Sequence, residues 1–431
     1  CRGGRGGRTC APERVAVVTP GALDAIVAET AALSASFRER GHRLFLVGGA
    51  VRDLFLEHDP GTDIDLDLTT DADPDAIKRI VGPVADALWL QGERFGTIGA
   101  LINGRPYEIT THRSEVYDDT SRKPTVAFST AVEEDLSRRD FTVNAMAVEL
   151  PFAELIDPFG GRDDMHDARL RTPLDPEVSF ADDPLRMLRA ARFTAGYGLV
   201  PVPDLIGAMR TLAERLDIVS AERVRDELDK LLEGEVPSVG LALLADTDLL
   251  CRFLPEVDVD TLARRSSTVD AMRNDPVARL DALLYGCDLA QVDRRLSALR
   301  YSTDRRHNTV GVLRAAQRLA EGAVHDAPSL RRWVADSGDR RLLARELVAL
   351  LEPDGPAIVE RSEALEAELG SELDDLGPAL RGQEVMDILG VAEGPVIGEA
   401  LGHLQQLRFE RGIMTAAQER TALETWWQRR T

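Results

Sequence analysis

The feature that most restricts what this chain can fold into is a change of hydrophobic period between residues 43 and 70. Arg43-Leu44-Phe45-Leu46-Val47 is a short apolar run that stops at Gly48-Gly49, and a helical pattern begins near Val51. Ile64, Leu66 and Leu68 then alternate with Asp65, Asp67 and Thr69. A repeat of two residues is a strand with one apolar and one polar face. Strand, glycine turn, helix and second strand together commit this part to an α/β unit. The second strand carries an acidic row, because Asp63, Asp65 and Asp67 fall on a single face, each about 7 Å from the next at Cα.

Two more strands are expected at residues 96–102 and 106–111, joined by Asn103-Gly104, a strong hairpin dipeptide. Upstream, the apolar spacing from Leu23 to Arg40 is helical. From Asp140 the pattern turns helical and stays so to the end, broken by Pro and Gly near residues 158–161, 201–203 and 353–356. The fold class expected is therefore α+β, with a small mixed-sheet head followed by a long all-α remainder. A chain of 431 residues calls for two or three domains. We place a head at 15–150, a helical neck at 151–245 and a helical body and tail at 246–431. Residues 1–14 combine Gly and Arg with almost nothing to bury, and a disordered tail is expected there.

Charge narrows the partners. A net charge of −22, if evenly spread, argues against a nucleic-acid binder. Its distribution matters more. Acidic residues concentrate at 59–75 and 352–375, and nearly all positive charge is Arg, with Lys only at Lys78, Lys123 and Lys230. Many of the arginines come in pairs, such as Arg305-Arg306, Arg331-Arg332 and Arg138-Arg139, the last read as opening a helix beside the acidic strand, where the bland alternative is a structural ion pair. These pairs are either compositional drift or a phosphate-binding surface. No apolar run approaches the roughly 18 residues of a membrane span, and no signal-peptide pattern is visible, so a cytoplasmic location is expected. Cys1, Cys10, Cys251 and Cys287 show no metal-ligand spacing.

The acidic strand is the first chemical candidate. Transfer of a nucleotide from a triphosphate uses two Mg²⁺ ions, and hard Mg²⁺ takes carboxylate oxygens. Two aspartates two apart on a strand suit that need, although a DxD alone is more often a solvated face. Its setting raises the odds. Gly48-Gly49 lets the backbone approach a ligand, helix-start N–H groups favour phosphate, and Arg52 adds a cationic fork. Glu108, on a neighbouring strand, is a third carboxylate that could take the proton of an attacking 3′ hydroxyl, or else a cross-strand ion-pair partner. Farther on, Pro184 starts a helix in Asp183-Pro184-Leu185-Arg186, and three-residue spacing predicts that Asp183 and Arg186 share a face. An Asp accepts from the exocyclic amine of cytosine or adenine, and an Arg donates to the adjacent ring acceptor. Uracil and guanine present the opposite pattern, so such a pair would select C and A together.

In the order LVGGAVRD, DIDLDLTT, RRDFTVNA, DPFGGRDD, DPLRMLRAAR and AERVRDELDK, the chain resembles the bacterial tRNA nucleotidyltransferase and poly(A) polymerase family, the class II CCA-adding enzymes. The resemblance runs from about Leu44 to Leu232. It implies a nucleotidyltransferase head, with Asp65 and Asp67 as metal ligands and Mg²⁺ as cofactor. Asp63 with Asp65 is the alternative pairing, since the gap after Asp53 is longer than usual. The resemblance further implies Arg139 at ribose and triphosphate, Asp183 and Arg186 as the protein template for C and A, and Arg189 and Arg192 on the triphosphate. The helix holding Arg223, Glu227 and Lys230, by itself an exposed ion-paired face, would brace the template helix. Residues 381–398 resemble the distal segment that grips the tRNA arms by shape and phosphate contacts.

The implied activity is template-independent addition of C and A to a tRNA 3′ end from CTP and ATP, with no membrane and no protein partner. Within the class, the alternatives are a poly(A) polymerase or an A-only or CC-only enzyme. Outside it stands an RNA-binding protein with a retired transferase fold. Neither His166-Asp167 nor His325-Asp326 has the companions of a metal phosphohydrolase.

Overall fold

The structure is a computed structural model that describes residues 20–55, 66–116, 125–272 and 274–430. Residues 1–14, Asp63 and Asp65 lie outside the described residues. The rest falls into two compact units, with the division at residues 219/220 and a short return of 246–249 to the first.

The first unit is built on a seven-stranded sheet. Its strands are β1 (Leu44–Val47), β2 (Leu66–Thr70), β3 (Ala87–Trp89), β4 (Thr97–Ile102), β5 (Arg105–Thr111), β8 (Ala147–Leu150) and β9 (Glu154–Ile156), in the order β3-β4-β5-β2-β1-β8-β9. Between β5 and β8 in the chain, β6 (Arg113–Val116) and β7 (Thr125–Phe128) form a separate hairpin. Only β2 and β5 run parallel, so the sheet is mixed. The β4–β5 turn behaves as its sequence demands, with Asn103 at φ 52° and Gly104 at φ 77°.

Alternation decides the two faces of the sheet. Leu66, Leu68, Ile98, Ala100, Tyr107 and Ile109 point into a core covered by α1 (Pro20–Arg38) and α3 (Pro74–Val81). Helix α3 starts as its sequence implies, with Pro74 in the first turn and the Asp73 side chain accepting the Ala76 N–H at 2.6 Å. On the opposite face, Phe45, Val47 and Ala147 pack under Val132 and Leu136 of α4 (Val132–Ser137). Among the described residues this leaves Asp67 of β2, Glu108 of β5 and Trp89 of β3 exposed on the outer face, while Thr69, two residues on from Asp67, is buried against His112.

Two expectations fail in this unit. The chain is not helical throughout after Asp140, because β8 and β9 extend the sheet and Arg169–Leu170 pairs with Val200–Pro201. Ala147–Leu150 is only four residues long, and its partner β1 lies about a hundred residues away in sequence, so no local period marks it. Nor does Arg138-Arg139 open a helix. The pair follows the end of α4, and a 3₁₀ turn at Thr142–Asn144 leads the chain back into the sheet. Helix α5 (Gly161–His166), α6 (Pro176–Asp182) and α7 (Leu185–Tyr197) then complete the part that bears on the site.

The second unit is helical throughout its described residues, from Ala221–Leu232 to Ala416–Gln428. Its core includes the fully buried Trp333, which donates to the Ala315 carbonyl at 2.9 Å. Several of its arginines are internal ties. Arg279 donates to the Leu232 and Gly234 carbonyls, Arg331 to Phe409 and Arg408 to Asp375. Part of the arginine excess is therefore used in capping loops and helix ends. Glu227, expected on an exposed face, is buried. Among the described residues no helix is long and apolar enough to cross a membrane.

Candidate active site

The open sheet face carries a row of side chains set by strand register. Asp67 on β2 stands opposite Glu108 on β5, and Glu108 stands opposite Gly99 on β4. Both carboxylates are exposed while their neighbours along each strand, Leu66, Leu68, Tyr107 and Ile109, are buried. Strands in register lie about 4.8 Å apart, so the two acids can act on one ligand.

On the β1 side of Asp67 sits Gly48, the residue before α2 (Gly49–Asp53), with φ 74° and ψ −138°. Few residues other than glycine adopt that conformation. A side-chain carbon there would lie 3.1 Å from Arg139 Nη1 and 3.6 Å from Asp67 Oδ2. The turn, the arginine and the aspartate therefore meet at one point.

Arg139 is held there by Asp135, which is only 3% exposed and lies 3.4 Å from Arg139 Nη2 and 3.5 Å from Arg138 Nε. Burial favours the neutral acid, but Arg139 and Arg138 outweigh it and hold the Asp135 carboxyl below the usual range.

A second network ties the glycine turn to α7. Arg52 is buried and donates to Asp53 Oδ1 at 2.8 Å and to Asn144 Oδ1 at 3.0 Å. Its guanidinium lies 4.2 Å from the Tyr197 ring centre. Asn144 in turn donates to Asp140 Oδ1 at 3.0 Å, and Arg189 Nε donates to Asp140 Oδ2 at 2.8 Å. Burial pushes against ionisation of Asp140, yet Arg189 and the Asn144 amide keep its carboxyl below the ordinary Asp range. Arg192 lies over the Phe193 ring at 4.8 Å.

Arg186 bridges α7 to both neighbours, donating to Ser179 Oγ at 2.7 Å and to the Arg138 carbonyl at 2.6 Å. Asp183 does not share a helical face with it. Asp183 is extended (φ −135°, ψ 97°) and precedes the helix, and its Oδ1 accepts the Leu185 N–H at 3.2 Å. The residue before a proline is driven out of the helical region, and spacing alone does not register that.

The connector after β9 is equally specific. Asp157 accepts the Gly161 and Arg162 N–H groups at 2.7 and 3.0 Å. A Gly161 side chain would fall 2.2 Å from the Thr142 carbonyl oxygen.

The structure thus brings Asp67, Glu108, Gly48 and Arg139 together, while Asn144 and Asp140 join Arg189 to Arg52, whose own backbone N–H donates to the Gly48 carbonyl. Asp65 lies outside the described residues. The sequence reading passed over Asp135 and Tyr197, and gave Asp140 and Asn144 no role of their own although both lie in the RRDFTVNA stretch. Asp135 was readable from its spacing to Arg138 and Arg139, and the four-residue steps Arg189, Phe193, Tyr197 mark one helical stripe.

Comparison with known proteins places this arrangement. Residues 44–171 match the model of the poly(A) polymerase head domain, and residues 202–261 match that of the probable RNA- and SrmB-binding site of polymerase A. A CCA-adding enzyme of Levilactobacillus brevis is 32% identical over 377 residues, which cover 86% of this chain and 90% of the relative. The chain belongs to the CCA-adding enzyme family. It is accordingly a nucleotidyltransferase, and nucleotidyltransferases of this family use divalent metal ions. The Bacillus stearothermophilus CCA-adding enzyme in complex with CTP superimposes with a TM-score of 0.73 at 26% identity, over 94% of this chain and 98% of that one. The Thermotoga maritima CCA-adding enzyme complexed with tRNA shares the fold, with a TM-score of 0.66 at 20% identity over 95% and 98% of the two chains.

Proposed function

We propose that this chain adds C and A nucleotides from CTP and ATP to the 3′ end of tRNA without a nucleic-acid template. The observation that carries the reading is the meeting of Asp67, Glu108, Gly48 and Arg139 on an open sheet face, in a chain whose relatives add CCA.

The carboxylate row is a hard-oxygen donor set that suits Mg²⁺, and Asp67 with Asp65 would hold it. The ion, when bound, neutralises triphosphate charge and stabilises the attacking and leaving oxygens. The remaining work falls to the chain. Backbone N–H groups at the Gly48-Gly49 turn and the Arg139 guanidinium bind phosphate oxygens beside Asp67. Arg52, enclosed by Asp53, Asn144 and Tyr197, supports that turn from behind rather than reaching the phosphates itself. Glu108 stands next to Asp67 and is placed to take the proton of the 3′ hydroxyl.

Asp183 and Arg186 recognise the base edge. Arg186 would leave Ser179 or the Arg138 carbonyl to meet a base. Arg189 stays on Asp140 and orders α7, while Arg192, on the edge of the same helix, meets the triphosphate. The arginines of the helical unit that are not internal ties grip the tRNA backbone. We assign the work to the cytoplasm.

Incubation with tRNA lacking its CCA, Mg²⁺ and each triphosphate in turn tests the reading. Growth that stops at C-C-A supports it. Long A tracts would identify a poly(A) polymerase instead, growth by C-C alone or by A alone a partial enzyme, and no incorporation would leave only an RNA-binding protein.

A further inference from the structure

The carboxylate row continues past Gly99 to one more side chain. Gly99 stands opposite Trp89 on the edge strand β3, so Asp67, Glu108, Gly99 and Trp89 form a single line across four strands on the open face. Gly99 has no side chain to fill its place, and Trp89 lies over it. A carbon on Gly99 would be 3.1 Å from Trp89 Cε3 and 3.4 Å from its Cβ. Even so, Trp89 is 46% exposed, and an indole with that much surface in water is uncommon.

The line has two ends, and the site occupies one of them. Gly48 and Arg139, the phosphate-binding elements, flank Asp67 on its β1 side. In an in-line displacement the attacking hydroxyl approaches from the side opposite the leaving pyrophosphate. The RNA end must therefore arrive over β5 and β4, toward Trp89. Two strand spacings separate the Glu108 and Trp89 backbones, about 10 Å, close enough for one nucleotide to rest its sugar at Glu108 and its base on the indole. Proteins that hold single-stranded RNA use aromatic faces in this way, and stacking tolerates any base. That tolerance suits an enzyme whose acceptor terminus changes identity after each addition.

The geometry points to Trp89 as the stacking platform for the 3′-terminal base of the acceptor RNA, set across the carboxylates from the triphosphate. The inference rests on the reading of the site given above.

Its test compares wild type, Trp89→Ala and Trp89→Phe for binding and extension of tRNA lacking CCA, with an intact or an abasic 3′-terminal residue. Stacking of one base corresponds to about 5- to 150-fold in affinity. Trp89→Ala should weaken the intact RNA by that factor, leave the KM for CTP unchanged and bind the abasic RNA as wild type does. Trp89→Phe should recover most of the loss. An equal loss on both RNAs, no loss on either, or a rise confined to the KM for CTP would overturn the proposal. If Trp89→Ala is destabilised, the Trp89→Phe comparison on the two RNAs decides. Failure of wild type to extend the RNA would instead refute the transferase reading, which keeps the two apart.

Discussion

Gly48→Ala is the perturbation whose cost follows most directly from the geometry. At φ 74° and ψ −138° an alanine is held where L-residues rarely go, at about 1–3 kcal/mol. Its methyl would also sit 3.1 Å from Arg139 Nη1, so the guanidinium must shift by a few tenths of an ångström. That second part is cheap in stability, because a side-chain end can yield, but it moves the cation beside Asp67. The two effects separate by assay. Thermal unfolding of the head should fall by about 2–4 °C per kcal/mol for a unit of this size. CMP incorporation should fall further than stability explains, through a higher KM for CTP. In Gly48→Ala/Arg139→Ala the backbone cost should persist while the two effects on KM become non-additive. Unchanged melting and unchanged KM in Gly48→Ala would refute both the conformation and the cradle.

Asp281 in the helical unit is fully buried, and burial raises its carboxyl to about 6. A raised folded value gives stability that is complete below the unfolded pKa and is lost as pH rises to about 6, here about 3 kcal/mol. Asp281→Asn should therefore raise the melting temperature at pH 8 but not at pH 3.5; an equal effect at both would contradict the assignment. Gly161→Ala should lower the melting temperature by forcing backbone away from the Thr142 carbonyl, at about 1–3 kcal/mol, and a melt identical to wild type would show that the connector is slack. Arg186→Ala should raise misincorporation of U and G relative to C and A in competition assays, and intact discrimination would remove Arg186 from base selection.

Much of the head was legible because alternation and glycine turns are local. The alternation at Leu66, Asp67 and Leu68, the Asn103-Gly104 hairpin and the helix after Pro184 needed only neighbouring residues. What escaped depends on distant partners. β8 is recognisable only by its pairing with β1, and Asp140 gains its role from Arg189, which approaches from another helix. Asp183 shows a different limit. Helical spacing assigned it a face, but the proline after it and its own bond to the Leu185 N–H hold it outside the helix. Likewise the arginine pairs carry no mark that separates internal ties such as Arg331 and Arg408 from surface charge. Composition fixes their number, and packing decides their use.

Transfer at Asp67 is tested most directly by single-turnover incorporation of labelled CMP into tRNA lacking its CCA. Asp67→Asn keeps the shape of the side chain and removes its charge. The rate should fall at least about 10³-fold with tRNA affinity nearly unchanged. A rate within tenfold of wild type would place the chemistry elsewhere.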